Sequence, residues 1–102
     1  MKRRKAKRPA GSAVTMMVLR LYIADSAPNS AMAIANLAAI CKEHFGDEFE
    51  LEIIDVLEYP QRAFADGIIV TPSLTKVSPS PLARIVGNLS DTKSVLRALG
   101  IA

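Results

Sequence analysis

The stretch from Ile68 to Asp91 sets three prolines, Pro72, Pro79 and Pro81, among short apolar-rich runs. Proline has no backbone N–H and restricts the residue before it, so these positions limit where strands can begin and end. The runs Ser73 to Val77 and Leu82 to Val86, separated by Ser78-Pro79-Ser80-Pro81, read as a hairpin at the edge of a sheet. Gly87-Asn88 punctuates its end. None of its residues is an obvious nucleophile or metal ligand, so the stretch points to a binding surface rather than an active site.

The remaining segments fit around this hairpin. Val14 to Ala24 alternates in the manner of a strand with one face fully buried. Asp25 to Ser30 offers helix caps and a Pro near a helix start, after which Ile34, Leu37, Ala38, Cys41 and Phe45 fall at helical spacing up to Gly46. Glu48 to Leu57 reads as a second strand, and Pro60 opens a short helix, Gln61 to Asp66, stopped by Gly67. Ser90 is placed to cap a last helix, Asp91 to Leu99, closed by Gly100. The order β-α-β-α-β-β-α is an α/β arrangement of the thioredoxin-like type. A proline at the position of Pro72, just before the third strand, is then expected in the cis form.

The chain of 102 residues supports one core. Its charge is unevenly placed: residues 1–13 hold six basic residues (Lys2, Arg3, Arg4, Lys5, Lys7, Arg8) and no acid. The other seven basic residues face all ten acids in residues 14–102, so the body sums to −3 and the high pI belongs to the tail. Residues 1–13 are therefore expected to be a disordered basic tail ahead of a domain at 14–102. A nucleic-acid role for the tail is the weaker reading, because no aromatic or Gly-Arg pattern is interleaved. No apolar run has the length of a secretory or membrane-spanning segment, and a lone cysteine suits a reducing, cytoplasmic setting.

Catalytic chemistry finds no footing. Thioredoxin-like enzymes place Cys-x-x-Cys at the first strand-to-helix turn, where this chain has Asp25-Ser26-Ala27-Pro28. Cys41 lies on the expected apolar stripe, and His44, the only histidine, has no companion ligands. Glu48, Glu50 and Glu52 read as a solvated strand face, and the five glycines form no phosphate-cradling loop. No catalytic residue, metal site or cofactor is expected.

One set of motifs runs through Leu19-Arg20-Leu21-Tyr22-Ile23-Ala24, Ala27-Pro28-Asn29-Ser30, Ile54-Asp55-Val56-Leu57 and Pro60-Gln61. It continues through Thr71-Pro72-Ser73-Leu74, Lys76-Val77 and Arg84-Ile85-Val86-Gly87-Asn88-Leu89-Ser90, without a gap from about Val18 to Leu99. In these motifs the chain bears a resemblance to the KaiB family of bacterial circadian-clock proteins. The resemblance implies a non-enzymatic regulator that binds a KaiC-like ring ATPase and modulates its phosphorylation cycle, with a KaiA-like protein as a further partner. The alternative is an adaptor or sensor module for a histidine kinase. It further implies two interchangeable folds: a monomeric thioredoxin-like form that binds the ATPase, and a self-associating, often tetrameric β-α-β-β-α-α-β form.

The fold-switching region is expected to include Pro72, Pro79, Pro81, Gly87, Asn88, Asp91 and Ala98. Ala98 stands where many relatives are expected to carry Gly, which favours helix by about 0.5–1 kcal/mol and with it the thioredoxin-like form. Lys76, Arg84 and Arg20 are the expected partner contacts. Met32, Gly67 and Ala83 stand at surface positions where relatives often carry a basic residue, and Asn88 replaces an acidic one.

Overall fold

Alternation in Met-Val-Leu-Arg-Leu-Tyr-Ile sends Met17, Leu19, Leu21 and Ile23 to one side of a strand and Val18, Arg20 and Tyr22 to the other. That strand is the pivot of a four-stranded sheet. The computed structural model describes residues 16–24 and 27–100. Within them the order is β1 (Met17–Ile23), α1 (Pro28–Phe45), β2 (Phe49–Asp55), α2 (Pro60–Ala65), β3 (Ser73–Ser78), β4 (Ala83–Val86) and α3 (Thr92–Leu99). The sheet runs β2-β1-β3-β4, with β2 parallel to β1 and the β3-β4 hairpin antiparallel. This is the expected thioredoxin-like β-α-β-α-β-β-α order, and residues 92–99 are helix rather than strand.

The main core lies on one side of the sheet. Met17, Leu19, Leu21 and Ile23 pack there with Ala33, Leu37, Ile40 and Cys41 of α1, Leu74 of β3, and Leu89, Val95 and Leu99 from the α3 end. The buried face of α1 is therefore Ser30, Ala33, Leu37, Ile40 and Cys41, a rotation of the stripe expected from sequence. Ala38 is exposed, and Ile34 and Phe45 are only partly covered. Three consecutive apolar pairs in α1 allow either choice of face, and Ala33 is fully buried on the face that packs on the sheet.

Helix ends follow chain chemistry with two revisions. Pro28 begins α1, but Ala27 at its N-cap makes no side-chain cap bond. Ser30 instead accepts a hydrogen bond from the Ala24 N–H at 3.2 Å. The expected caps Asp25 and Ser26 lie outside the described residues, as does the basic segment 1–13. For α3 the cap is Asp91, not Ser90: its carboxylate accepts from the Ser94 N–H at 3.3 Å and from the Ser94 hydroxyl at 2.8 Å. Those bonds hold its carboxyl below the usual range. Gly100 closes α3 in the left-handed region at φ +83°, a conformation that favours glycine. The Thr71-Pro72 bond is cis, as expected, and so are Ser78-Pro79 and Ser80-Pro81.

Candidate partner-binding face

The second side of the sheet carries the polar chemistry. Register places Arg20 of β1 between Glu52 of β2 and Thr75 of β3, with Arg84 of β4 beyond Thr75. One step along, Tyr22 lies between Ile54 and Ser73, with Val86 beyond. The short α2 covers only part of this side, where Ala63 packs on Tyr22 and Ile54 beside Val56 and Ile68. With so small an apolar contact, polar bonds do much of the attachment of α2.

Asp66, at the C-cap of α2, is the hub. Its carboxylate accepts a short hydrogen bond from the Tyr22 hydroxyl and a bond of 3.1 Å from the Arg20 guanidinium. Its backbone carbonyl accepts from Arg84 at 2.6 Å, and the Gly67 carbonyl accepts from the same guanidinium at 3.4 Å. Arg84 Nε also reaches the Thr75 hydroxyl at 3.3 Å. Arg62 grips Glu52 through two bonds, 2.6 and 2.9 Å, and Arg20 Nε lies 3.9 Å from that carboxylate. The Tyr22 bond, followed by that of Arg20, holds the Asp66 carboxyl below the usual range. Burial, reinforced by Asp66, pushes the Tyr22 phenol up to about 12.

Large apolar side chains rim this network. Phe64 on α2 is 87 % exposed and Ile69 in the following loop 93 %, with Val70 and Val86 about half exposed. The chain ties them together: the Val70 carbonyl accepts from the Ser73 hydroxyl at 2.6 Å, and Ser73 pairs with Val86. Exposed apolar groups beside fixed guanidinium groups form a surface suited to protein contact.

The residues expected to serve this surface separate into two groups. Arg20 and Arg84 meet at Asp66. Lys76 does not join them, because its place opposite Leu19 puts it on the helix-covered side. It is 3 % exposed, its Nζ 3.5 Å from the Leu99 carbonyl oxygen, where a cation suits the C-terminal end of α3. Pro72 is buried at the start of β3, whereas Pro79 and Pro81 sit in the β3-β4 turn. Gly87 takes φ +119°. The Asn88 carbonyl accepts from the Asn36 side chain at 2.8 Å, and its side chain accepts from the Ser90 N–H at 3.0 Å. Ala98 is half-buried on α3, and Asp91 caps it.

Sequence reasoning missed Asp66, Tyr22 and Arg62. The one available signal was the two-residue spacing of Arg20 and Tyr22, which puts both on the same strand face. Among the described residues, no group of three or more His, Cys, Asp or Glu could hold a metal ion, and no helix is long and apolar enough to cross a membrane. Cys41 is fully buried, and burial pushes its thiol up to about 12.

Comparison with known proteins agrees with this architecture. The KaiB domain family matches residues 20–101. A circadian clock protein KaiB3 of Synechocystis is 53 % identical over 85 residues, covering 83 % of each chain. A circadian clock oscillator protein KaiB of Microcystis aeruginosa is 45 % identical over 84 residues, covering 82 % of this chain and 81 % of its own. Among solved structures, the N-terminal domain of Synechococcus elongatus SasA superposes with a TM-score of 0.71 at 21 % identity, over 93 % of both chains. Chloroplastic thioredoxin z superposes with a TM-score of 0.68 at 16 % identity, over 85 % of this chain and 80 % of its own. The likeness in structure shows the thioredoxin-like fold, and the match in sequence shows descent: this chain belongs to the KaiB family.

Proposed function

We propose that this chain is a non-enzymatic clock regulator that binds a KaiC-type ring ATPase and modulates its phosphorylation and ATPase cycle. The observation that carries the reading is the thioredoxin-like state of residues 60–99, in which α2, β3 and β4 bring Arg84 and the apolar rim together beside Arg20 of β1. Arg84 contributes a fixed charge and Phe64 and Ile69 contribute burial, the usual division between orientation and affinity at an interface. Arg20 acts through Asp66. Lys76 enters through α3, whose end it supports, rather than as a contact in this form. The thioredoxin-like form is a monomer in this reading, a tetramer belongs to the other fold, and the setting is the cytoplasm. A KaiA-like protein is a further partner.

An adaptor role toward a histidine kinase is the second reading. Gly67 favours it, since it borders Arg84 and leaves the face less basic than an acidic ring surface would select, whereas Met32 on α1 and Ala83 opposite Lys76 lie on the other side of the sheet.

An NMR titration of labelled protein with a KaiC-type ring separates the two. Free-state shifts should show helix at Val95 to Leu99, and signals should vanish as the large complex forms. Phe64→Ser or Ile69→Ser should weaken capture by tenfold or more, roughly 1.4 kcal/mol or above. Unchanged spectra at high ring concentration overturn ring binding and transfer the reading to the kinase. Strand shifts at 95–99 overturn the assignment of the active form.

A further inference from the structure

The chain has one Asp-Gly step, Asp66-Gly67, and no Asn-Gly step. Asp-Gly is the aspartate step most open to cyclisation, because glycine leaves the attacking backbone nitrogen unshielded. The Gly67 nitrogen attacks Cγ of a neutral Asp66 carboxyl, the N–Cγ bond forms, and the carboxyl hydroxyl leaves as water with the amide proton. Water then adds to the imide. Where it breaks the bond between the Asp66 backbone carbonyl carbon and that nitrogen, the chain runs on through Cγ as isoaspartate, with a free carboxylate on Cα. Water is the only reagent that enters or leaves.

This step sits at the junction between α2 and the sheet, and each group the reaction needs is held there. The Asp66 carboxylate accepts from Tyr22 and Arg20, which keep it ionised and so a poor electrophile. The Gly67 N–H donates to the Phe64 carbonyl at 3.1 Å. The flanking Asp66 and Ile68 N–H groups donate to the Arg62 and Ala63 carbonyls at 3.1 and 2.9 Å. Arg84 donates to the carbonyls of both Asp66 and Gly67. Ring closure needs the Gly67 nitrogen eclipsed with the Asp66 side chain, and Asp66 at ψ 3° keeps the two well apart. Bulk gives no protection: Gly67 is exposed at φ +69°, with only the Arg84 guanidinium near the place a Cβ would occupy.

We infer that Asp66-Gly67 is a latent isomerisation site, closed while the Asp66 hub is intact and opened when the C-terminal end of α2 leaves the sheet. Isoaspartate adds one methylene to the backbone and moves the carboxylate onto Cα. The carboxylate and the two carbonyls then no longer reach Tyr22, Arg20 and Arg84 together. A chain that isomerises while open cannot re-form the hub, so the site converts a transient detachment of α2 into a lasting one. Opening and closing are fast beside this chemistry, so the rate follows the population of the open form.

Ageing the full chain at fixed pH and temperature tests this, with isoaspartate at Asp66 read by peptide mapping with electron-transfer fragmentation. Tyr22→Phe removes a bond to an ionised carboxylate and should raise the rate about tenfold over the native chain. Arg84→Ala, which leaves the carboxylate's own bonds in place, should raise it severalfold. Amide exchange along β1 checks that each variant stays folded. In urea the native chain and both variants should isomerise at one common, faster rate. The isolated isomerised chain should exchange its amides at Ala63 to Ile68 faster than the native chain, with Leu19 to Ile23 unchanged. A native chain that isomerises as fast folded as in urea overturns the proposal. So do folded variants that age no faster than the native chain, and so does an isomerised chain whose α2 amides keep their native protection.

Discussion

If Asp66 is the hub that attaches α2 to the sheet, Asp66→Asn and Tyr22→Phe should be strongly coupled. The Tyr22 hydroxyl is buried and donates to an ionised carboxylate, a class of bond contributing about 1.5–3 kcal/mol. The Asp66 side chain is 25 % exposed, which argues for the lower half of that range. Its pair with Arg20, whose side chain is 35 % exposed, adds under about 1 kcal/mol after solvent screening. Tyr22→Phe is thus expected to cost about 1.5 kcal/mol and Asp66→Asn about 1.5–2 kcal/mol, since the amide keeps an acceptor but loses the charge. The first lowers the melting temperature by roughly 6 to 12 °C and the second by roughly 6 to 16 °C in a domain of this size.

Urea unfolding of the two single variants and the double variant measures the coupling, expected near 1 kcal/mol because both changes remove the same bond. Additivity within about 0.3 kcal/mol would refute the hub. The acid limb offers an independent check. The folded carboxyl lies below its ordinary value, so its contribution is complete above about pH 4 and is lost as pH falls through the folded value. The native chain should therefore lose more stability on acidification than Asp66→Asn, and identical acid slopes would remove Asp66 from the account.

Ultraviolet titration should show a tyrosine step at about 12 that Tyr22→Phe abolishes. Because that value is raised, the contribution of the neutral phenol is present below about pH 10 and lost as pH climbs toward the folded value. Cys41 should resist a thiol reagent in the native state and react on unfolding, so native-state modification without loss of structure would contradict its packing against β1. Gly100→Ala forces a Cβ into the left-handed region, 3.6 Å from Lys76 Nζ, and should cost about 1–2 kcal/mol in a thermal melt. An unchanged melt would show that α3 does not end as described.

The fold was legible where backbone chemistry is local. Pro60, Gly67, Pro72 and Gly100 each forbid or favour one conformation at one position, and the elements begin and end beside them. The face of α1 was not, because Ala33, Ile34, Leu37, Ala38, Ile40 and Cys41 wrap too far around the helix for periodicity to choose. Only packing against the sheet decides, and it buries Ala33, Leu37, Ile40 and Cys41. The cap of α3 went to Asp91 over Ser90 for a related reason: Ser94 lies three residues beyond Asp91, so that carboxylate reaches both its N–H and its hydroxyl.

The candidate face shows the limit more sharply, because it is made of register. Lys76 and Arg84 look equivalent as two exposed cations on adjacent short strands, yet Lys76 falls opposite Leu19 and Arg84 opposite Thr75. A strand sends alternate residues to opposite sides, so one position decides whether a cation meets the end of α3 or the end of α2. Asp66 had no signature at all, being one acid before a glycine. Its role follows from three side chains converging: Arg20 from β1, Tyr22 one pleat on, and Arg84 from a hairpin whose pairing positions it over the end of α2. The same convergence makes the face a property of the thioredoxin-like state. Re-pairing residues 60–99 in any other order would part Arg84 from Asp66 while leaving Arg20 and Tyr22 side by side on β1. An Arg84→Ala variant that loosens α2 without disturbing β1 would separate those two contributions, because its bonds run to the Asp66 and Gly67 carbonyls and to Thr75, none of them on β1.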